Sequence, residues 1–309
     1  MSSLPHKAPG TTSTEAGKAE SCQGCPNQTI CASTTGGAEQ DQGLFSHSNG
    51  VDLPLILENL AHVKNIILVL SGKGGNLSTK QVDVTNYKVG LLDLDICGPS
   101  IPIMTGTLGE TLHVSGMGLE PISVLDTLSV ISISYMLPSD ELAVVWRGPK
   151  KNGLIKQFLK DVNWANSEEE ALDYLIIDTP PGTSDEHISI AKLLKQENTS
   201  YTLSSIIIST PQVSIPILGL VENMSSFCCP SCKRQSGLFE QLEGSGCRIL
   251  CKKMGLRFLG SIPIEPLIGK ICDEGKVEML KEDPAIYSIF QDIINATLES
   301  LSEVNKLMN

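Results

Sequence analysis

The sequence has 309 residues, 41% hydrophobic and 19% charged, the make-up of a soluble globular chain with one large core and a tail. Its net charge of −12, from 23 basic and 35 acidic residues without any basic block, argues against general binding to nucleic acid or to an anionic membrane. No apolar run reaches the roughly 18 residues a membrane span needs, and the N-terminus has neither a secretory apolar core nor an Arg-rich transit character.

Residues 1–50 are rich in Ser, Thr, Gly, Gln and Ala. They offer too little apolar surface to offset their own ordering entropy, so a disordered, cysteine-bearing tail is expected ahead of an α/β domain over residues 51–309. The chain has ten cysteines and no signal segment, which points to metal binding or reactivity and away from disulfides. Cys22, Cys25 and Cys31 lie close enough together to converge on one soft metal centre. The same spacing suits a zinc knuckle or plain surface thiols.

Leu55 to Val63 reads as a short helix entering the first strand, the apolar run Ile66 to Leu70. That strand stops at Ser71-Gly72-Lys73-Gly74-Gly75. Three glycines let backbone amides turn inward on an anion, and Lys73 adds a full positive charge. A second apolar run, Val89 to Leu92, carries Asp93 and Asp95 to the carboxyl end of a neighbouring strand, where open α/β sheets place ligands. A phosphate loop plus a carboxylate is the minimum for handling a nucleotide and its magnesium.

Gly98 to Pro102 makes a loop and helix start, and Val124 to Ile133 gives one or two strands. Trp146-Arg147-Gly148-Pro149-Lys150-Lys151 opens a helix with Leu154, Ile155, Phe158 and Leu159 at helical spacing. Leu175 to Asp178 is a buried strand ending in a carboxylate, followed by a Pro-Pro-Gly turn. Two apolar runs follow, Ile206 to Ser209 and Ile215 to Val221. The five residues between them are too few for the crossover of roughly 10–12 residues that a parallel pair needs. Cys228-Cys229-Pro230-Ser231-Cys232 comes next; Cys229 and Cys232 supply two thiolates, half of a four-coordinate site. Residues 245–254 and about 284–306 read as amphipathic helices. Cys97, Cys247, Cys251 and Cys272 are scattered and read as small buried hydrophobes.

The stretches SGKGG, LLDLDICGPSIP, WRGPKKNGLIKQFL and IIDTPPGTSDEH together resemble the Mrp/Nbp-type P-loop ATPases, and the resemblance runs from about Ala8 to Glu274. It implies a doubly wound, mainly parallel α/β sheet of the P-loop NTPase type. It also implies a cytoplasmic scaffold that assembles [4Fe–4S] clusters and passes them to cytosolic and nuclear apoproteins under control of ATP with Mg2+. On the matching positions, Gly72, Lys73, Gly74 and Gly75 would cradle phosphate and Ser78 or Thr79 would meet magnesium. Asp95 and Asp178 would orient water and metal, and Asn223 would contact adenine. Cys229 and Cys232 would hold a cluster bridging two subunits, in a homodimer or with a related P-loop scaffold subunit. Cys22, Cys25 and Cys31 would hold a second cluster on the tail.

The departures are specific. The family loop carries two lysines, G-K-G-G-V-G-K-S-T, whereas here Asn76-Leu77 precede Ser78-Thr79 and only Lys73 has a counterpart. The family tail places a fourth cysteine where this chain has Ala8. Residues 76–88 and 210–214 are both shorter than the family's helical crossovers, as in a degenerate relative or a chain with sequence missing there. The alternative reading is therefore a catalytically degenerate, non-hydrolysing partner subunit. A positioning ATPase of the related Min/ParA type would need a basic or amphipathic terminal segment, and would leave the cysteines unexplained.

Overall fold

The computed structural model describes residues 52–70, 87–95, 98–136, 148–164, 171–182, 185–194, 202–205, 215–232, 234–237 and 246–308. They belong to the larger of the two units into which the chain divides, Asn49–Asn309.

Helix α1 (Asp52–Asn59) and a 3-10 turn lead into strand β1 (Val63–Val69). Strand β2 (Val89–Asp93) follows, then the one-turn helix α2 (Ile101–Met104), the hairpin of β3 (His113–Ser115) and β4 (Gly118–Glu120), and strands β5 (Ile122–Leu125) and β6 (Leu128–Ser132). Next come α3 (Gly148–Asp161), β7 (Leu172–Asp178), α4 (Asp185–Leu194) and β8 (Thr202–Ser205). The remainder is β9 (Leu220–Cys228), β10 (Gln235–Gly237), α5 (Gly246–Met254), β11 (Phe258–Ile264), α6 (Pro266–Asp273) and α7 (Pro284–Met308).

The main sheet has the order β5-β6-β2-β7-β1-β8, and every neighbouring pair in it is parallel except β5 with β6. Its central strands are near-continuous apolar runs because both faces are covered. Ile67, Val69, Leu91 and Ile176 join one cluster with Phe290 and Ile293 of α7 and Ile268 and Ile271 of α6. The alternate residues Ile66, Leu68, Leu92, Leu175 and Ile177 point to the other face by the two-residue period of a strand, and are equally buried.

Helix α3 follows its sequence pattern: Leu154, Ile155, Phe158 and Leu159 are all fully buried, each stabilising the fold by roughly 1.5–3 kcal/mol. The amide of Asn59 clips α1 to the end of α3, donating to the carbonyls of Leu159 at 2.9 Å and Val162 at 2.8 Å. Lys156 and Lys160 close the same pair of helices on Asp52.

Of the two apolar runs on either side of residues 210–214, only the second lies among the described residues. The strand before the gap is Thr202–Ser205, at the edge of the main sheet, and the run 206–209 lies outside the described residues. The strand after it begins only at Leu220 and belongs to a separate three-stranded sheet, β10-β9-β11. The chain is in the main sheet at Ser205 and in the smaller sheet at Leu220, with residues 206–219 between them. One core still spans both sheets, because Leu218, Val221, Leu259 and Ile262 join the cluster that holds Ile67 and Leu91.

Candidate functional site

The register of the main sheet lines up Ser132, Asp93, Asp178 and Val69, each the last residue of its strand. Adjacent strands lie about 4.8 Å apart, so Asp93 and Asp178 are side-by-side carboxylates at the carboxyl ends of β2 and β7. Asp93 is 1% exposed. Its oxygens accept the Ser132 hydroxyl at 2.9 Å and the Asp95 N–H at 3.1 Å. Burial first, and then the charge of Asp178, push the Asp93 carboxyl well above the usual range. The Asp95 side chain is half-buried, one turn of chain further out.

The exits of the two central strands are fastened together. Thr179 donates its N–H at 3.2 Å and its hydroxyl at 2.9 Å to the carbonyl of Val69. Leu94 donates to the carbonyl of Asp178 at 2.9 Å. Strand β1 therefore ends beside the carboxylate row. Gly72, Lys73, Gly74, Gly75, Ser78 and Thr79 lie outside the described residues, as do Cys22, Cys25 and Cys31.

Asp178 and Asp95 thus stand at the same end of the main sheet, and Asp93 is the residue that lies opposite Asp178. The sequence placed Asp93 at this edge but left it out of the site set. The two-residue alternation puts Asp93 and Asp95 on one face, and only strand register shows which of them faces Asp178.

Asn223 lies on a different sheet. It opposes Ile262, while Phe227 opposes Ile264, so β9 spends two extra residues between these pairings. Met224 inside that bulge has φ 57, unusual for a side-chain-bearing residue, and its N–H donates to the Asn223 side-chain carbonyl at 3.0 Å. The bulge leaves Asn223 exposed, with its amide at the surface.

Beyond the bulge, β9 ends at Cys228 and turns through Cys229-Pro230-Ser231-Cys232 into β10. The turn is pinned by the Cys229 N–H donating to the Arg234 carbonyl at 3.1 Å and by the pairing of Cys228 with Gln235. Cys228 is buried at 7% exposure, Cys229 is half-buried and Cys232 is exposed. The Cys232 N–H, then the Ser231 N–H, and then the Cys232 thiol hydrogen-bond to the Cys229 sulfur and hold it below the ordinary thiol range. Amides aimed at sulfur are what a metal-ligating thiolate needs, so the donor chemistry fits a soft metal centre. Two thiols do not complete one: among the described residues no group of three or more His, Cys, Asp or Glu is placed to hold a metal ion.

Cys251 and Cys272 are buried, as small hydrophobes would be, while Cys247 is half-buried with its thiol pushed up to about 12 by burial. That separates them from the Cys229 turn by chemistry as well as by position.

Comparison with known proteins places this geometry. The family profile of the NUBPL iron-transfer P-loop NTPases matches residues 62–298. The chain belongs to that family. Both the carboxylate row and the thiol turn fall inside the matched span. The chain is 43% identical to the cytosolic Fe-S cluster assembly factor NBP35 of Kluyveromyces lactis, with 97% of this chain and 94% of the relative covered. Against the protein of the same name from Eremothecium gossypii it is 42% identical, with 97% and 92% covered. The Kluyveromyces alignment runs over 326 positions against 309 residues here, so that NBP35 carries residues this chain lacks. Among solved structures, the nucleotide-binding protein of Archaeoglobus fulgidus in complex with ADP superposes with a TM-score of 0.61 at 31% identity, covering 77% of this chain and 96% of that one. The NUBPL-family fold is therefore a P-loop NTPase sheet, mainly parallel, as its motifs imply.

Proposed function

We propose that this chain is a cytosolic scaffold that receives an iron–sulfur cluster as cargo and hands it to apoproteins. The observation that carries this reading is the Cys229–Cys232 turn, with backbone amides directed at the Cys229 sulfur, in a chain of an iron-transfer family. Two thiolates per chain are half of what a [4Fe–4S] cargo wants. A two-fold axis through the turn supplies the other half without further residues. The partner is a second copy or a related P-loop subunit. Cys22, Cys25 and Cys31 would carry a second cluster, its fourth position not being filled by residue 8, which is Ala.

Nucleotide would bind at the carboxyl edge of the main sheet, a reading supported by the Archaeoglobus relative's being a nucleotide-binding protein in complex with ADP. Gly72, Lys73, Gly74 and Gly75 would face the phosphates, and Ser78 or Thr79 together with Asp95 and Asp178 would serve the magnesium. When bound, the magnesium supplies positive charge. This chain's own contribution is a buried carboxylate pair whose mutual repulsion such a charge relieves. Asn223, exposed on its bulge, would meet the base. A second reading, a non-hydrolysing partner subunit, is favoured by Asn76-Leu77 standing where the family has its second lysine.

Anaerobic reconstitution of the full chain with ferrous iron and sulfide, followed by absorbance and sedimentation velocity, tests the scaffold reading. Because cluster and association are linked, Cys229→Ala or Cys232→Ala lowers both iron content and dimer fraction, whereas Cys228→Ala changes neither. A colourless zinc-loaded chain, or a cluster-loaded monomer, overturns the bridging cluster.

A further inference from the structure

Cys229 and Cys232 share one turn, and their thiols are hydrogen-bonded to each other. The chain reverses between Cys228 and Gln235, and within that reversal both the N–H and the thiol of Cys232 hydrogen-bond to the Cys229 sulfur, which brings the two sulfurs into contact. Cys229 is half-buried and Cys232 exposed, so a small disulfide reaches the pair from solvent. Pro230 stiffens the turn. Cys228 is unsuited to compete. It is buried at the end of β9, and being adjacent in sequence it points to the other side of the strand.

We infer that Cys229 and Cys232 form a reversible thiol–disulfide pair, and that closing it shuts the turn to metal cargo. The second half rests on the scaffold reading; the first does not. The exchange needs an oxidant of the small-molecule disulfide class, for which glutathione disulfide is the probe. The Cys229 sulfur, held by the Ser231 and Cys232 amides, attacks one sulfur of that disulfide. A Cys229–glutathione bond forms, the glutathione S–S bond breaks, and one glutathione thiolate leaves. The Cys232 sulfur, giving up its proton, then attacks the Cys229 sulfur and expels the second glutathione thiolate. Two protein thiols lose two electrons and two protons, and one glutathione disulfide becomes two glutathione thiols. A metal and the disulfide exclude each other because thiolate, not disulfide sulfur, is the ligand.

The test uses the reduced, metal-free full chain carrying Cys22→Ser, Cys25→Ser and Cys31→Ser, so that only the turn is read. It is equilibrated with mixtures of reduced and oxidised glutathione, quenched in acid, alkylated and mapped by peptide mass spectrometry. The expected product is a Cys229–Cys232 disulfide, with Cys251 and Cys272 still alkylatable after unfolding. In the same background, Cys232→Ser leaves glutathione on Cys229 as a mixed disulfide that does not resolve, because the attacking second sulfur is gone. The oxidised chain takes up a tenth or less of the iron taken by the reduced chain, and dithiothreitol restores it. No Cys229–Cys232 disulfide at any ratio, pairing of Cys229 with Cys228, or equal iron uptake by both forms overturns the inference. If the disulfide forms reversibly but the reduced chain takes no iron, the exchange site stands and the cluster reading falls.

Discussion

At Asp93 a carboxyl group that ionises near pH 4 in an unfolded chain is enclosed beside Asp178, and burial raises its affinity for the proton. Between the unfolded and the raised folded value, the native chain holds a proton that the unfolded chain has released. Stability is therefore complete below the unfolded value and falls as pH rises through the folded one. Asp93→Asn keeps an acceptor for the Asp95 N–H, and the Ser132 hydroxyl can reverse to accept from the amide. The expected result is equal thermal stability of the two chains near pH 4 and a higher melting temperature for Asp93→Asn at pH 8. The gain is about 2–4 °C for each kcal/mol of ionisation cost removed. Melting curves from pH 4 to 8 decide it, and parallel pH profiles would show that Asp93 is not the titrating group. If the Asp93–Asp178 pair meets magnesium as proposed, nucleotide binding reads the same residue in the opposite sense, and Asp93→Asn weakens it.

Helices α5 and α6 end in the same way and differ in what lies outside. Gly255 has φ +66, with the Leu256 N–H donating to the Cys251 carbonyl; Gly275 has φ +68, with the Lys276 N–H donating to the Ile271 carbonyl. Both are left-handed caps, which suit glycine because it has no Cβ. A Cβ on Gly255 would meet nothing within 4 Å, whereas one on Gly275 would lie 2.6 Å from the Cα of Gly106. There the end of α6 touches the chain that continues from Asp95 through α2. The same segment is held from its other side by the buried hydroxyls of Thr105, Thr107 and Tyr135, with 2.6 Å between Thr107 and Tyr135. Gly255→Ala should cost about 1–2 kcal/mol, from backbone conformation alone. Gly275→Ala should cost clearly more, on the order of 3–5 kcal/mol, since two backbones must separate. Urea midpoints measured on both variants check this, and equal losses would show that the Gly106 contact yields without cost.

For the whole molecule, the open quantity is how strongly nucleotide is held. Loss of a close phosphate–lysine contact, partly shielded from water, removes about 2–4 kcal/mol, or roughly 30- to 1,000-fold in affinity or rate. The isolated chain should therefore bind and hydrolyse ATP more weakly than a family member with both loop lysines. Side-by-side calorimetry and turnover assays measure it, and equal values would mean that another group fills the missing lysine's place. The same outcome would remove the reason for reading the chain as a non-hydrolysing partner. Cluster-linked dimerisation belongs to this scale too, because each chain presents two thiols.

Much of this was legible without coordinates, for local reasons. The short, unbroken apolar runs Ile66 to Leu70, Val89 to Leu92 and Leu175 to Ile177 read as buried strands, and the spacing of Leu154, Ile155, Phe158 and Leu159 as a core-facing helix. The two thiols of C-P-x-C were visible as a pair because only two residues, Pro230 and Ser231, separate them. The sequence also showed that residues 210–214 are too few for a parallel crossover between the two apolar runs, a reading that falls on residues outside the described ones. It could not say that the chain would leave the main sheet and build a second one around β9, which depends on where Leu220 finds Phe258. Nor could it rank Asp93 above Asp95 as the partner of Asp178. The identity of neighbours across a sheet is set by register between strands far apart in sequence, and so is the burial that changes a carboxyl group's affinity for its proton.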